Sequence, residues 1–272
     1  MKIKFYGTRG SLPVCEQDFL AFGGNTTSIK ITLSSGRIAI IDAGSGIRNL
    51  GRDLIKEGFY QDQLFIGFTH FHWDHIQGFP FFATAYNPNM VINILAMGKD
   101  RNIENLEGIF REQMKTEYFP VPMEEMGATF NFLQIQKNEL KINDTLVKVI
   151  KQNHPGGSFG YRLEEKGKSL VFCTDIEHGK TVLPEIVEFC KGADLLVHDA
   201  QYTNEELALH RGWGHSSYEQ AIEVAEKAGV KKLAMTHHDP DHNDDFLKKI
   251  EKECQKRYHN CVLARDGMEI IL

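Results

Sequence analysis

The segment Thr69–His75 concentrates side chains that can ligate metal ions. It reads Thr-His-Phe-His-Trp-Asp-His and follows a short apolar run, so that His70, His72, Asp74 and His75 fall within six positions. Imidazole suits borderline metals such as zinc, and carboxylate adds a hard oxygen ligand. In an extended chain His70 and His72 share one side, and a following turn can carry Asp74 and His75 toward a second ion. Two such ions can clamp a reacting group and activate water.

Three residues further along the chain extend this set of potential ligands. His154, Asp175 and His237 each follow a run with strand-like character. Residues at strand ends are presented at a sheet edge, where binding sites are commonly built. With the first cluster they make seven ligand candidates, which is more than one tetrahedral ion can use. The sequence therefore predicts a site for two metal ions.

The elements that must position these residues alternate between strands and helices. Strands are predicted at Lys2–Tyr6, Ser28–Leu33, Ile38–Asp42, Leu64–Phe68, Thr129–Ile135, Thr145–Lys151, Phe159–Glu164, Ser169–Thr174, Leu195–His198 and Lys232–Thr236. Helices are predicted after Asp42, with Ile47, Leu50, Leu54 and Ile55 on one face, and at Asn102–Lys115, Pro184–Cys190, Tyr218–Ala228 and Phe246–Tyr258. Layer packing of these elements predicts a mixed α/β (α+β) fold with central sheets and outer helices. We expect one domain over residues 1–272.

Composition places the chain among ordinary globular proteins. It has 272 residues, 42% of them hydrophobic and 25% charged, which excludes a disordered chain, a collagen-like repeat and a coiled coil. No apolar run approaches the roughly 18 residues of a membrane span, and the first residues lack the apolar core of a secretory signal. The five cysteines are odd in number and widely spaced. We therefore expect a cytoplasmic protein without disulfides.

The charge balance is mildly acidic. The formal net charge is −6, which argues against long nucleic acid as a partner and leaves room for a small anionic substrate held by a bound metal. The segment 99–137 carries five basic residues, seven acidic residues and two glycines. Its hydrophobic residues predict an inserted lid or a contact between the subunits of a homodimer.

The order of the ligand candidates resembles the metallo-β-lactamase superfamily over nearly the whole chain. His-x-His-x-Asp-His after a strand is followed by a lone histidine, an aspartate and a late histidine, and the turn Asp42-Ala-Gly-Ser-Gly matches the superfamily's early aspartate turn. The resemblance implies an αββα sandwich that holds two divalent ions, zinc or manganese, with a hydroxide between them as the nucleophile. It implies one ion on His70, His72 and His154, the other on Asp74, His75 and His237, and Asp175 as the bridge.

A second segment resembles one branch of that superfamily. Gly212-Trp-Gly-His215-Ser-Ser is similar to a His-Ser-Thr segment of ribonuclease Z and of the 1,2-cyclic phosphate phosphodiesterases. In those relatives the histidine serves the scissile phosphate as proton donor or charge partner, supported by an upstream acidic residue that Asp199 matches here. The resemblance therefore implies Asp74, His215 and Asp199 as catalytic residues.

Together these features predict a metal-dependent phosphodiesterase that acts on a small phosphodiester, either a cyclic nucleotide or a cyclic phosphate. One alternative is a ribonuclease Z-like endonuclease for the 3′ end of tRNA. That enzyme grips tRNA with a flexible, basic, glycine-rich arm, which the segment 99–137 does not resemble. Further alternatives are a thioesterase or lactonase, and a metal-containing sensor. Di-iron relatives prefer glutamate where this chain has His72, which weighs against oxygen chemistry.

Overall fold

The computed structural model describes residues 1–59 and 63–272, and two facing β-sheets form its centre. The strands are β1 Lys2–Gly7, β2 Ser28–Thr32, β3 Ile38–Ile41, β4 Gln63–Gly67, β5 Val91–Met97, β6 Thr129–Ile135, β7 Glu139–Ile142, β8 Thr145–Gln152, β9 Ser158–Glu165, β10 Lys168–Cys173, β11 Leu195–Asp199, β12 Leu233–Thr236, β13 Cys261–Leu263 and β14 Glu269–Ile271. The first sheet has the order β14-β1-β2-β3-β4-β5-β6, and the second has the order β13-β12-β11-β10-β9-β8-β7.

Helices cover the outer face of each sheet. They are α1 Ile47–Lys56, α2 Trp73–Ile76, α3 Leu106–Gln113, α4 Pro184–Cys190, α5 Asn204–Leu209, α6 Tyr218–Ala228 and α7 Asp244–Arg257. One apolar cluster fills the space between the sheets, and two others lie between each sheet and its helices. Along β3, Ile40 belongs to the helix-facing cluster and Ile41 to the inter-sheet cluster, because successive side chains point to opposite faces. The predicted αββα sandwich is confirmed.

Local signals explain where several helices begin and end. The side chain of Ser217 accepts a hydrogen bond from the Gln220 backbone, that of Gln220 bonds back, and α6 ends at Gly229 in the left-handed region. This capping box and glycine stop are readable in sequence, and α6 has its predicted bounds. The helix predicted from residue 102 starts only at Leu106, because the Asn105 side chain accepts a hydrogen bond from Gly108 and caps it.

Other predicted details differ from the structure. Strands β5 and β7 and helix α5 were not predicted, and a short helix, α2, stands where only a turn was expected. Ile55 is 60% exposed, whereas Ile47, Leu50 and Leu54 are fully buried. Position 55 directly follows position 54, so it lies about 100° further around the helix and off the face that packs on the sheet.

The segment 99–137 contributes to the first layer of the sandwich. It contains α3 and β6, and β6 pairs in parallel with β5 at the end of the first sheet. Phe110 and Met114 are fully buried in the cluster beneath, while Tyr118 is 67% exposed. A role for this segment as a lid or a dimer contact stays a prediction.

Sheet direction brings the candidate residues together. Strands β3, β4 and β5 run parallel in the first sheet, and β10, β11 and β12 run parallel in the second. The carboxyl ends of parallel strands meet at one edge, which is where open α/β sheets bind ligands.

Among the described residues no helix has the length and apolar content needed to cross a membrane. Four of the five cysteines are buried, Cys15 is exposed, and all are free.

Candidate metal centre

Three residues at this edge adopt a backbone conformation that side chains disfavour. Asp42, Asp175 and His237 have φ values of 59°, 60° and 65°, and each directly follows a buried strand or the residue after it. Left-handed backbone at a non-glycine residue costs on the order of 1 kcal/mol or more and persists where surrounding contacts enforce it. All three lie in or directly beside the cluster of histidines and aspartates described next, as does Ser11, whereas Asn143 and Lys166 adopt the same conformation in turns elsewhere.

The first group of potential ligands consists of His70, His72 and His154. Their ligating atoms lie within 4.8 Å of one another, and Nδ1 of His72 is 3.0 Å from Nε2 of His154. His70 is buried, whereas His72 is exposed. The group therefore has one open side, at His72.

The second group consists of Asp74, His75, Asp175 and His237, all buried. Nε2 of His237 lies 3.2 Å from Oδ2 of Asp74 and 3.3 Å from Oδ1 of Asp175. Asp175 also reaches the first group, since its Oδ1 is 3.7 Å from Nε2 of His70 and 3.8 Å from Nε2 of His154. The two groups are those expected from the sequence, and Asp175 stands between them.

Outer contacts fix the orientation of the imidazole rings. Nδ1 of His75 lies 2.8 Å from Oδ2 of Asp42, Nδ1 of His237 lies 3.0 Å from Oε1 of Gln201, and Nδ1 of His154 lies 2.9 Å from the carbonyl oxygen of Gly214. In each case Nδ1–H donates to oxygen, which leaves the Nε2 lone pair for a metal. Such outer partners are typical of metal-binding histidines.

Unpaired buried atoms test whether these residues fit a metal. Among the residues that the structure describes, Nε2 of His70 and Oδ2 of Asp175 have no hydrogen-bond partner although both are buried, and Nε2 of His75 lies 3.2 Å from that oxygen. Nδ1 of His70 is 3.1 Å from the Thr69 hydroxyl, which donates to Asp42. Nδ1 of His70 therefore carries the proton, and its Nε2 lone pair faces a carboxylate oxygen. A buried lone pair and a buried carboxylate oxygen that lie 3.7 Å apart repel each other unless a proton or a metal ion lies between them, so the donor set fits divalent metals.

The protonation preferences agree with this reading. Burial opposes ionisation of Asp175, but His237, His75 and His70 hold the pKa of its carboxyl well below the ordinary value. Burial also opposes charge on His237, yet Asp175 and Asp74 raise its pKa to about 9. Without a metal the carboxylates thus retain a proton on His237. A divalent cation would displace that proton and supply a larger positive charge to the carboxylates.

His215 and Asp199 form a pair directly beside the second group. Nδ1 of His215 lies 3.0 Å from Oδ2 of Asp199, and the His215 ring stacks on His237 with centroids 4.9 Å apart. Asp199 also accepts hydrogen bonds from the backbone N–H groups of Asp175 and Ser216. With its oxygens occupied by these donors, Asp199 is better suited to orient neighbours than to ligate a metal, although its oxygen lies within ligating distance of Asp175, His215 and His237.

A cavity of about 330 Å³ opens beside the first group. Its walls include His70, His72, Phe71 and the exposed side chain of Lys151. The guanidinium of Arg101 lies deeper, where it donates to the carbonyl oxygen of Phe68. The cavity wall therefore carries one exposed cation, Lys151, and one exposed carboxylate, Asp100.

Sequence reasoning missed several residues that support the centre. Gln201 and Gly214 orient two histidines, and the backbone N–H of Ser11 donates to Oδ2 of Asp74 at 2.8 Å. Asp42 was recognised only as part of a family turn, although its carboxylate bonds to both Thr69 and His75. A contact made by a backbone group cannot be recognised from residue type. Of these residues, only Gln201, a polar residue just after Asp199 at the end of β11, could have been identified from the sequence as a support for the centre.

A model of the Beta-lactamase superfamily domain matches residues 39–238. Ribonuclease Z of Haloarcula marismortui is 25% identical over 99% of this chain and 96% of its own length.

Among solved structures, the short form of human tRNase Z has a TM-score of 0.69 at 20% identity and covers all of this chain. A diphosphatase from the PhnP family has a TM-score of 0.72 at 18% identity, also over the whole chain. At these identities the two structures bear on the fold alone.

The expectation that long nucleic acid is not a partner is wrong. Its basis was the net charge of −6 and the lack of a basic arm in the segment 99–137. Relatives that align over almost their full length are named Ribonuclease Z. Net charge averages over the whole surface, whereas phosphate binding depends on the local field of a few cations and of bound metals.

Proposed function

The chain belongs to the metallo-β-lactamase superfamily, and from that premise we propose that it is a divalent-metal-dependent phosphodiesterase with His215 as its proton donor. Its relatives support a hydrolase of the ribonuclease Z-like kind. Our proposal adds that a phosphodiester bond is cleaved and that His215 assists the leaving group.

The position of His215 carries the proposal. It lies beside seven potential ligands, yet its Nδ1 is engaged by Asp199 and its ring stacks on His237. Hydrolysis of a phosphodiester releases an alkoxide, which leaves poorly unless it is protonated. An imidazole whose Nδ1–H donates to a buried carboxylate is held in one orientation, and in its protonated form it can pass the Nε2 proton to the leaving alkoxide oxygen. Hydrolysis of a thioester or lactone has less need of this group.

The proposed metal ligands are those that the sequence implied. His70, His72 and His154 would hold one ion and Asp74, His75 and His237 the other, while Asp175 lies near both groups. Zinc and manganese both suit these imidazoles and carboxylates. When bound, two divalent ions activate water and stabilise the negative charge that builds on the phosphate. Asp74, held by the Ser11 N–H, keeps His237 in place.

The proposed substrate is a small phosphodiester, such as a cyclic nucleotide or a cyclic phosphate. The cavity beside His72 is compact, and Lys151 provides a cation at its wall. A second candidate, the 3′ end of a precursor tRNA, is favoured by the full-length relatives named Ribonuclease Z.

Kinetic comparison of substrate classes on metal-loaded protein tests the proposal. We expect kcat/KM to be higher for a phosphodiester than for a thioester, a lactone or a β-lactam. Asp175→Asn, which tolerates the left-handed backbone at that position, serves as the inactive control. Faster turnover of an acyl substrate than of every phosphodiester, including precursor tRNA, would contradict it.

A further inference from the structure

Both tryptophans of the chain are exposed and lie on segments that carry residues of the candidate centre. Trp73 is 65% exposed and Trp213 is 60% exposed, and the sequence contains no other tryptophan. Trp73 stands between His72 and Asp74, while Trp213 directly precedes Gly214. Large aromatic rings left in water beside a polar site are typical of binding surfaces.

Close contacts of His154 connect the two tryptophan-bearing segments. Nε2 of His154 is 3.0 Å from His72, the neighbour of Trp73, and its Nδ1 is 2.9 Å from the carbonyl oxygen of Gly214, the neighbour of Trp213. A Cβ at Gly214 would come within 2.1 Å of that Nδ1, so glycine is required for this approach. The backbones that carry the two indoles therefore meet on either side of His154.

The segment that carries Trp213 is held rigidly. The Glu177 carboxylate accepts hydrogen bonds from the backbone N–H groups of Gly212 and Gly214, which flank the tryptophan. The His210 ring contacts the indole at 4.7 Å between centroids and stacks on Tyr202 at 4.6 Å. An aromatic ring fixed in advance loses less entropy when it binds a flat partner.

We propose that Trp73 and Trp213 are stacking platforms for the nucleobases of a phosphodiester substrate. This inference rests on the proposed phosphodiesterase function and narrows its substrate class to nucleotides, as opposed to base-free sugar or alkyl phosphodiesters. In a nucleotide the base is joined through the sugar to the phosphate that is cleaved. The two tryptophans are the chain neighbours of His72, a ligand candidate, and of Gly214, which contacts the ligand candidate His154. A base bound beside the phosphate would therefore meet the segments that carry these rings. Base stacking tolerates any sequence because every base has an aromatic face.

Intrinsic fluorescence gives a test that does not depend on turnover. Because the chain has two tryptophans, Trp73→Phe and Trp213→Phe each leave a single reporter. We expect adenosine 5′-monophosphate to quench the emission of the metal-loaded protein with a saturable dependence, and ribose 5-phosphate to leave it unchanged. Equal responses to both compounds, or no quenching by either, would overturn the inference.

A matched pair of substrates gives the kinetic test. The p-nitrophenyl ester of thymidine 5′-phosphate and methyl p-nitrophenyl phosphate share a leaving group and differ in the nucleoside. Replacing either tryptophan by alanine is expected to raise KM for the thymidine ester about 5- to 150-fold. The KM for the methyl ester and kcat for both should stay unchanged. The phenylalanine variants should recover part of the loss, and Ile271→Ala, which removes a distant exposed side chain, should change nothing.

The outcomes separate this inference from the proposed function. Equal kinetic effects on both esters, or none, would overturn the stacking role and leave the phosphodiesterase assignment intact. A change of oligomeric mass in the alanine variants without a selective rise in KM would also overturn it, because the tryptophans would then belong to an interface between copies. If neither ester nor any other phosphodiester is hydrolysed, the proposed function fails, and the fluorescence titration alone decides the inference.

Discussion

Oδ2 of Asp199 lies 3.0 Å both from Nδ1 of His215 and from the backbone nitrogen of Asp175. One buried carboxylate thus orients the proposed proton donor and also fixes the backbone of the residue that stands between the two ligand groups. Burial opposes ionisation of Asp199, but His215 and His237 lower the pKa of its carboxyl. Asp199 therefore stays ionised and accepts these hydrogen bonds as a carboxylate. Through this contact the chemistry of the leaving group and the geometry of the metal centre are coupled.

Replacing His215 by alanine should separate proton donation from metal binding. We expect His215→Ala to retain its metals and to lose about 10²- to 10⁴-fold in kcat on a phosphodiester with an alkyl leaving group. The loss should be smaller on a p-nitrophenyl ester, because that group leaves without protonation. Steady-state kinetics and elemental analysis check this, with the exposed His259 changed to alanine as control. Parent rates on both substrates would reduce His215 to a loop residue.

Asp199→Asn should have a broader effect than the loss of His215. The asparagine NH₂ group cannot accept hydrogen bonds, so it would face one of the N–H donors that now meet the carboxylate. We expect lower activity together with weaker metal retention, whereas His215→Ala should affect activity alone. Metal content after dialysis distinguishes them, and full retention in Asp199→Asn would contradict the coupling through Asp175.

Metal stoichiometry tests the role of Asp175. We expect two divalent ions per chain after expression with ample metal, because seven ligand candidates form two groups joined by this residue. Asp175→Asn should lose more metal than His154→Ala, since a bridging carboxylate serves both ions. Elemental analysis that finds one ion or none in the parent protein, or equal losses in the two variants, would be inconsistent with a bridged pair.

The carboxylate of Asp42 should set metal affinity without touching the metal. It accepts hydrogen bonds from the backbone and hydroxyl of Thr69 and from Nδ1 of His75. Asp42→Asn preserves size and tolerates the left-handed backbone, yet weakens the hold on His75. We expect about 10- to 100-fold weaker metal binding, measured by competition with a chelator. Asp53→Asn, which removes an ion-pair partner of Lys4, is the control and should bind metal like the parent.

Two buried histidines behind the centre should make folding sensitive to acid. His178 accepts a hydrogen bond from the Leu183 N–H, and its Nε2 lies 3.4 Å from Nε2 of His198. Burial and the facing His198 lower the pKa of His178 to about 3, whereas its unfolded value is about 6.5. The unfolded chain therefore binds the extra proton first. The stability that neutral His178 contributes is complete above pH 6.5 and is lost as the pH falls toward 3.

Urea unfolding of the chelator-treated protein measures this effect. Between pH 7 and pH 5 the parent should lose about 2 kcal/mol of unfolding free energy through this group. His178→Gln should show a correspondingly shallower dependence on pH, and His259→Gln should follow the parent. Parallel curves for the parent and His178→Gln would show that His178 titrates normally.

The sequence by itself was sufficient to identify the ligand candidates of one short segment and the capping residues that begin and end a helix. His70, His72, Asp74 and His75 lie within one short segment, so their role as a group was visible without a fold. The capping residues of α6 are local too, and that helix formed as predicted. The superfamily's αββα arrangement followed from motifs that keep a constant order along the chain.

Only the tertiary structure decided what surrounds those residues. The contacts of His154 with Gly214, of His237 with Gln201 and of Asp199 with both Asp175 and His215 join positions far apart in sequence or use backbone atoms. Contacts between distant positions and contacts through backbone atoms leave no periodic pattern in the sequence. The exposure of Trp73 and Trp213 also depends on how the layers pack, because the identity of an aromatic residue does not tell whether it is buried in a core or exposed. The physical reason is the parallel pairing of the strands. It brings strand ends that are far apart in sequence to one edge of the sandwich, and only there do their side chains become neighbours.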